Sequence, residues 1–396
     1  MLIVGKHVDA ATFVDMTYGE IRRVPGAFGY DHYVPAPVPR AIDLDRETTR
    51  ALSAADRALG RLAGTGRLLP NPHLLAQPYL AAEALASSQI EGTQASLSEV
   101  FEAAAGGEDS PNVDVREVQN YVAAFELGVR LLGELPLSLR LLRQVHARLL
   151  RHVRGEEKNP GEFRTSQNWI GHPGGSLGAA TFVPPRHEPE MLDALDDWEQ
   201  FLHDRSGTLP PLIACGLLHY QFETIHPFLD GNGRLGRLVA ILYLMDLGEL
   251  PQPLLYLSPW FERDRNRYYT RLQAVRERGE MQEWLQYFLD GVAHQAHDAV
   301  TRAEVLTDLQ NSYRSALASD RSSAVHVIDL IFANPYVTTA RVARHLDVTP
   351  AGALNLIRKL ERRGWLRETR VAGQGGRITW VAVDVMAALQ GAVGEG

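Results

Sequence analysis

The sequence has very little cysteine: Cys215 is the single one among 396 residues. An internal disulfide and a zinc site built from cysteines are therefore excluded. Long apolar runs are also missing. The longest, residues 238–245, is far too short to span a membrane, and the first ten residues lack the apolar core of a signal peptide. Glycine (34) and proline (22) are too few for a collagen-like or disordered chain. We therefore expect a globular, cytoplasmic protein with no membrane association.

Charge is unevenly distributed along the chain. The formal net charge of −8 excludes a protein that coats nucleic acid along its whole length. Residues 335–384 nevertheless hold nine basic and four acidic side chains and so carry +5, which leaves −13 on the rest of the chain. A basic C-terminal lobe of this kind is suited to contact with phosphate groups.

Apolar residues at helical spacing dominate residues 45–291, so the predicted fold class is mainly α. Residues 1–45 contain four prolines and are predicted to form an irregular arm. Residues 322–389 follow the order helix, helix-turn-helix and two strands, which is typical of a winged helix. The predicted organisation is an N-terminal arm and helix (1–70), an N-terminal helical region (71–134), a core (135–297), a linker helix (298–321) and a winged helix-turn-helix domain (322–396).

The most informative segment runs from His226 to Arg237 and reads HPFLDGNGRLGR. One apolar helix is predicted to end at His226 and another to begin near Arg234, so the free amides of a helix N-terminus follow a glycine-rich loop. Arg234 and Arg237 share one helix face, Asp230 is a hard ligand for Mg²⁺, and His226 can accept a proton near neutral pH. A tight turn with a capping histidine and solvated arginines would explain each residue singly. The combination instead predicts a phosphate-binding site.

This segment matches the HPFxDGNGRxxR signature of Fic-domain proteins at every fixed position. The resemblance implies a Fic-fold helical bundle with a short β-hairpin flap, which transfers AMP from ATP to a Ser, Thr or Tyr hydroxyl and releases pyrophosphate. It implies that His226 is the catalytic base and that Asp230 binds Mg²⁺. The nucleotide would be bound by Gly231, Asn232, Gly233, Arg234, Leu235, Gly236 and Arg237. Gly233 stands where the phosphorylating, Doc-like branch has lysine, which favours AMP transfer. The target is this chain itself or another protein, and a homodimer is left open.

A second segment, Ser87 to Gly92, resembles the family's inhibitory motif [ST]xxxE[GN] and lies N-terminal to the core. The resemblance implies that Ser87, Glu91 and Gly92 form an inhibitory helix end, in which Glu91 pairs with Arg237 and displaces the γ-phosphate. A carboxylate at a helix C-terminus opposes the helix dipole, so a cationic partner elsewhere would offset the cost. The alternative is an exposed surface glutamate. In some relatives the same glutamate activates water to remove AMP, which gives a second enzymatic hypothesis.

Residues 160–171 and 182–185 resemble the family's flap, which aligns the target as an added strand. The flap residues assigned to target docking are Thr165, Asn168, Trp169, Ile170 and Gly171. A surface hairpin around a structural tryptophan is the alternative. Tyr268 and Tyr269 match a tyrosine pair found beside the nucleotide, where an aromatic face can stack on adenine. Otherwise they are ordinary half-buried helix residues.

The winged helix offers a further partner. Four basic residues cluster on its predicted recognition helix, namely Arg358, Lys359, Arg362 and Arg363, but Asn355 is the single base-reading candidate near the start of that helix. DNA binding and docking to a protein are both open. A third hypothesis for the whole chain is therefore a DNA-binding regulator that senses a nucleotide without transferring AMP.

Overall fold

The computed structural model describes residues 10–26, 29–68, 72–107, 110–171, 175–320, 322–370 and 378–390. Within these ranges the chain is mainly α, as the sequence predicts. Its helices are α1 (Arg46–Leu68), α2 (Pro72–Ile90), α3 (Leu97–Gly106), α4 (Val113–Leu132), α5 (Leu139–Leu149), α6 (Glu190–Leu202), α7 (Pro211–Ile225), α8 (Asn232–Asp246), α9 (Ser258–Arg263), α10 (Arg265–Arg278), α11 (Met281–Ala316), α12 (Ala324–Ala333), α13 (Thr339–Leu346), α14 (Pro350–Arg362) and α15 (Val383–Gln390). Its strands are β1 (Gly19–Arg23), β2 (Asp31–Pro35), β3 (Tyr336–Thr338), β4 (Leu366–Arg370) and β5 (Ile378–Ala382).

The described residues form two compact units that are each assembled from three stretches of sequence. The first unit takes its residues from 1–57, 123–249 and 260–293. The second takes its residues from 58–122, 250–259 and 294–396. Sequence neighbours are therefore divided between the units, whereas the predicted boundaries follow the chain in order. No helix within the described ranges is long and apolar enough to cross a membrane.

The core of the first unit is built around α7, which is buried from Leu212 to Ile225. Two tryptophans from neighbouring helices donate to its backbone. The indole nitrogen of Trp198 in α6 lies 3.0 Å from Leu218 O, and that of Trp284 in α11 lies 3.0 Å from Gly216 O. Each large ring is thus buried with its one donor satisfied. Helix α8 packs along α7, so the loop between them is fixed by a rigid core at both ends.

One predicted feature of the chain is wrong. The arm predicted to be irregular contains regular structure, because β1 and β2 pair as an antiparallel hairpin with Ile21 opposite Tyr33. Helix α11 runs from Met281 to Ala316 and so crosses residue 297, where the predicted core ends and the predicted linker helix begins. Its glycine, Gly291, does not end the helix: a Cβ there would lie 2.6 Å from Cδ1 of Trp260, so the glycine makes room for that ring.

The winged helix in the second unit is built from α12 to α15 and a three-stranded sheet of order β3-β5-β4. The prediction of this domain is confirmed, although β3 has no counterpart in it. Helix α12 packs against α2, and β3 packs against α3. Buried Asn334 ties the two segments together, because its Nδ2 donates to Phe101 O in α3 at 2.9 Å. A capping box of Ser96 and Glu99 begins α3.

Replacement of Gly216 tests the packing of α7 on α11. A Cβ at Gly216 would lie 2.9 Å from Cδ2 of Leu285 and 3.2 Å from the ring of Phe288, and both side chains are fully buried. We expect Gly216→Ala to lower the free energy of unfolding by about 1–3 kcal/mol, as overpacking does. Gly60→Ala in α1 is the control, because no atom lies within 4 Å of its Cβ position. It should stabilise by about 0.5–1 kcal/mol through helix propensity. Equal effects in urea unfolding would contradict this packing.

Candidate active site

His226 is held at the C-terminal end of α7 in a left-handed conformation, with φ 50° and ψ 60°. This region is costly for a residue with a Cβ, so surrounding contacts must hold it there. Two buried donors do so: Arg164 Nε lies 3.0 Å and Asn168 Nδ2 lies 3.1 Å from the carbonyl oxygen of His226. The half-buried imidazole is therefore presented by a fixed backbone.

The guanidinium of Arg164 donates hydrogen bonds to backbone carbonyls. Besides His226 O, it donates to the carbonyl oxygens of Ser166 (3.3 Å), Pro185 (2.5 Å) and Ile225 (3.4 Å). Its own amide donates to Pro227 O at 2.9 Å. Burial lowers the pKa of Arg164 to about 10, so it stays charged at neutral pH. The flap has two legs, residues 160–171 and 182–185. The buried guanidinium of Arg164 thus connects both legs with the loop after α7.

The rest of the loop between α7 and α8 is held in place by hydrogen bonds from its own side chains and from His146. Asn232 accepts from Phe228 N and donates to Phe228 O, both at 2.8 Å. His146 Nδ1 accepts from Gly161 N at 2.8 Å, so its Nε2 carries the proton and donates to Asp230 O at 2.9 Å. The His146 ring also stacks on Phe228 at 3.8 Å. Burial lowers the pKa of His146 to about 4, so the ring is neutral at physiological pH.

The first turn of α8 has the properties of an anion site. Gly231 caps the helix with φ 75°, and the first intrahelical bond runs from Leu235 N to Gly231 O. The amides of residues 232–234 therefore precede the hydrogen-bond ladder and point out of the helix end. Arg234 is buried beside them, and within the described residues its Nε and Nη1 atoms have no hydrogen-bond partner. Two unsatisfied guanidinium nitrogens inside a protein are costly, and an anionic ligand would satisfy them.

Asp230 is the carboxylate closest to this helix end in sequence. Its Oδ1 accepts from Gly231 N at 2.6 Å and lies 3.4 Å from Arg234 Nη2, while 41% of the side chain is exposed. A Cβ at Gly155 would lie 3.0 Å from Asp230 Oδ2, so a glycine is required where that segment approaches the carboxylate. Within the described ranges, no cluster of three acidic, histidine or cysteine side chains could hold a metal. Binding of Mg²⁺ by Asp230 stays a prediction.

Arg237 and the inhibitory segment lie in different units of the chain. Arg237 is fully buried in α8. In the second unit, α2 ends at Ile90, so Glu91 is the first residue beyond the helix and is exposed. Gly92 follows with φ 97°, and Ser87 is fully buried in the last turn of α2. This local geometry agrees with the motif, and the pairing of Glu91 with Arg237 stays a prediction.

The predicted flap residues divide into two groups. Asn168 is turned inward and donates to His226 O and Phe228 O, so it shapes the loop. Trp169 is 40% exposed and Gly171 is exposed, while Ile170 pairs with Phe182 in an antiparallel bridge. Thr165 is exposed and, with Leu229, lines a cleft of about 550 Å³ beside the root of the flap.

The two tyrosines have different environments. Tyr268 is fully buried, its ring stacks on Phe261 at 4.5 Å, and its hydroxyl lies 2.8 Å from His219 Nε2. Tyr269 is 44% exposed, and its ring centroid lies 5.3 Å from that of Tyr268. His219 Nδ1 lies 3.1 Å from Gly236 O and must donate to it, so its Nε2 accepts from the Tyr268 hydroxyl. Burial lowers the pKa of His219 to about 3.

Sequence reasoning missed Arg164, His146, His219 and Gly155. Arg164 belongs to the segment assigned to the flap, yet an arginine in a polar loop is usually exposed. Its partners His226 and Pro185 are distant in sequence, so no local spacing identifies it. His146 and His219 fall on apolar helix faces, where a histidine is an ordinary core residue. The structure shows that both supply hydrogen bonds to the segments that carry the motif.

Three sequence profiles match the chain. Residues 49–130 match the profile described as Fic/DOC family N-terminal, residues 136–244 match Fic/DOC family, and residues 325–375 match HTH DNA binding domain. Relatives called protein adenylyltransferase Fic, from Drosophila yakuba and Drosophila melanogaster, are 30% and 28% identical over 165 residues. Each match covers 41% of this chain and 30% of the relative. The chain thus spans less than a third of the length of these curated relatives.

A crystal structure of a Fic family protein from Desulfovibrio desulfuricans G20 resembles this chain over most of its length. The TM-score is 0.54 at 18% sequence identity, and the match covers 88% of this chain and 98% of that chain. At this level of identity the likeness shows a shared fold.

The opposite tautomers of His146 and His219 are a testable consequence of these contacts. We expect ¹⁵N NMR at neutral pH to find the proton of His146 on Nε2 and that of His219 on Nδ1. Both folded-state pKa values lie below the usual 6.5, at about 4 and about 3, so below pH 6.5 the unfolded chain binds protons that the folded chain does not. As the pH falls from 6 to 4.5, each histidine should lower the free energy of unfolding, by up to about 1.4 kcal/mol for each pH unit. A stability that rises on acidification would contradict this assignment.

Proposed function

We propose that the chain transfers AMP from ATP to a hydroxyl side chain of a protein and releases pyrophosphate, because residues 136–244 match the Fic/DOC family. The observation that carries the proposal is the buried guanidinium of Arg234, which has two nitrogens without partners next to the open amides at the start of α8. This arrangement favours a phosphate chain bound within a few residues of His226. The shared fold and the name of the relatives agree with a nucleotide-dependent transfer.

The reaction needs a base, an anion site and a fixed approach. His226 takes the proton of the target hydroxyl, whose oxygen forms a bond to the α-phosphorus while the bond to the leaving pyrophosphate breaks. The amides of residues 232–234 and Arg234 stabilise the charge on the phosphates. Asn232 bonds to Phe228 through both Oδ1 and Nδ2, so it contributes to the shape of the loop that presents these amides.

Asp230 is the residue that would hold Mg²⁺. When bound, the ion neutralises charge on the phosphates and orients them. The Asp230 side chain is 41% exposed and its Oδ1 accepts from Gly231 N, so Oδ2 is the oxygen that would bind the ion. The approach of Gly155 to Oδ2 restricts where that carboxylate can move.

Autoinhibition by Glu91 is the regulatory part of the proposal. Glu91 follows the end of α2, where the helix dipole disfavours its charge, and a cation such as Arg237 would offset that cost. Pairing would take Arg237 from the γ-phosphate and leave ATP in an unproductive pose. The alternative is that Glu91 activates water to remove AMP from a modified protein.

Binding of DNA by the winged helix is a second candidate function. Arg362 and Arg363, at the C-terminal end of α14, and Arg344 and Arg367 are all exposed. Part of the predicted basic cluster is used internally, since Arg358 pairs with Glu361 and Glu368, and Lys359 pairs with Asp320. The exposed arginines favour contact with phosphates rather than with base edges.

Transfer is tested with labelled ATP, Mg²⁺ and cell lysate. We expect Glu91→Gly to raise protein labelling by about 10-fold or more, as release of an inhibitory contact does. Adding His226→Ala should then reduce labelling by at least about 100-fold through loss of the base. Arg234→Met should weaken ATP binding, measured by titration calorimetry.

Glu134→Gly is the matched control, because Glu134 is also an exposed glutamate just beyond a helix, α4, and should leave labelling unchanged. Labelling that survives His226→Ala would refute the role of His226. Faster removal of AMP from a pre-labelled protein by the wild type than by Glu91→Gly would instead support the removal reaction.

Contact with DNA is tested by fluorescence anisotropy with a mixed-sequence duplex at several salt concentrations. If Arg362 and Arg363 contact phosphates, their joint replacement by alanine should reduce the slope of log K against log salt by about 0.9 for each lost contact. Arg50 and Arg57 are exposed arginines in α1 and serve as the control pair. An affinity that is independent of salt would contradict DNA binding and favour docking to a protein.

A further inference from the structure

The N-terminal hairpin of β1 and β2 lies beside the flap. Tyr33 N in β2 donates to Val183 O at 2.9 Å. On the other side of the same flap leg, Phe182 pairs with Ile170, because Ile170 N donates to Phe182 O at 2.8 Å and Phe182 N donates to Ile170 O at 3.1 Å. The leg that contains Phe182 and Val183 is therefore flanked on both edges.

Buried side chains hold the hairpin against the flap. Tyr33 and Phe182 are each 1% exposed with ring centroids 5.9 Å apart, and Phe13 packs on Tyr33 at 5.8 Å. The guanidinium carbon of buried Arg276 lies 3.8 Å from the centroid of the Phe182 ring, which is a close cation–π contact. Arg276 Nε also lies 3.1 Å from Oγ1 of Thr224, two residues before His226.

The hairpin is itself attached to the helical body. His32 Nε2 in β2 lies 2.8 Å from Glu190 Oε2 in α6, and Val14 N donates to Glu277 O in α10 at 2.8 Å. Gln221 Nε2 in α7 donates to Ala36 O at 2.8 Å. The hairpin thus connects the flap to three helices, one of which, α7, ends at His226.

These contacts leave one edge of the flap for a partner. Ile170 directs both of its backbone groups toward Phe182, so strand alternation directs those of Trp169 and Gly171 away from it. Trp169 is 40% exposed at the same edge, where its ring can cover an added strand. The opposite edge of the other leg is occupied by Tyr33.

We propose that the N-terminal hairpin, residues 10–35, is a positioning element for the protein substrate of the proposed AMP transfer. Tyr33 and Arg276 act as positioning residues: through Phe182 they set the place of the flap edge at Trp169 and Gly171 relative to His226. The partner is an extended segment of a protein, which joins that edge by main-chain hydrogen bonds. Residues 10–35 lie outside both Fic/DOC profile matches.

The test separates the approach of the target from nucleotide chemistry. In a Glu91→Gly background, Tyr33→Ala removes the ring that supports Phe182. Three quantities are measured: ATP binding by titration calorimetry, conversion of ATP to AMP by water without lysate, and labelling of lysate proteins. We expect labelling to fall by about 10-fold or more, because a small misplacement of a reactant has such an effect. ATP binding and conversion by water should stay within about 2-fold of the parent.

Tyr33→Phe keeps the ring and the amide and should restore labelling. Val14→Ala, at a side chain of the same segment that is 74% exposed, is the matched control and should match the parent. If all three quantities fall together in Tyr33→Ala, Tyr33 is a folding residue and the positioning role is refuted. If labelling is unchanged, the role is refuted as well. A parent that labels no protein refutes the AMP transfer itself, and the positioning role with it.

Discussion

The site depends on the clamping of a strained backbone by buried donors. His226 adopts a left-handed conformation at the end of α7, and its carbonyl oxygen is directed into the protein. Arg164 and Asn168 satisfy that oxygen, and Arg164 also reaches carbonyls on both sides of it in sequence. Without such donors the turn would bury unsatisfied carbonyls and relax. The position of the imidazole, the loop after it and the start of α8 all follow from this contact.

The polar side chains around the loop differ in whether their nitrogens all have partners within the described part of the protein. Asn232, Asn168 and His146 use their amide and ring nitrogens within the protein, so they hold the loop in shape. Arg234 differs, because it is equally buried but two of its nitrogens have no partner within the described residues. A site that is preorganised in this way does not have to reorganise its dipoles when an anion binds. These two nitrogens are the basis of the proposed phosphate site.

The segment that carries Glu91 is part of a larger packed body. Glu83 in α2 accepts from Tyr121 Oη at 2.9 Å and from Ser258 N at 2.9 Å, and α2 also packs against α12 of the winged helix. Asn334 attaches α3, the next helix along the chain, to the same domain. The turn at Glu91 and Gly92 is thus fixed on both sides by helices that contact the winged helix. Its position is set by this unit as a whole, rather than by α2 alone.

Local sequence signals determined the helical class, the winged helix and the loop at residues 226–237. Caps, glycines at positive φ and helical spacing act over a few residues, so they can be recognised in the sequence. The capping box at Ser96 and Gly231 as a left-handed cap illustrate such signals. The tertiary structure decided which buried donors hold the loop, that Asn168 supports His226, and that β2 flanks the flap. Arg164 and His226 are 62 residues apart, and Tyr33 and Val183 belong to different elements. Such contacts follow from how helices and strands pack, and no local pattern encodes them.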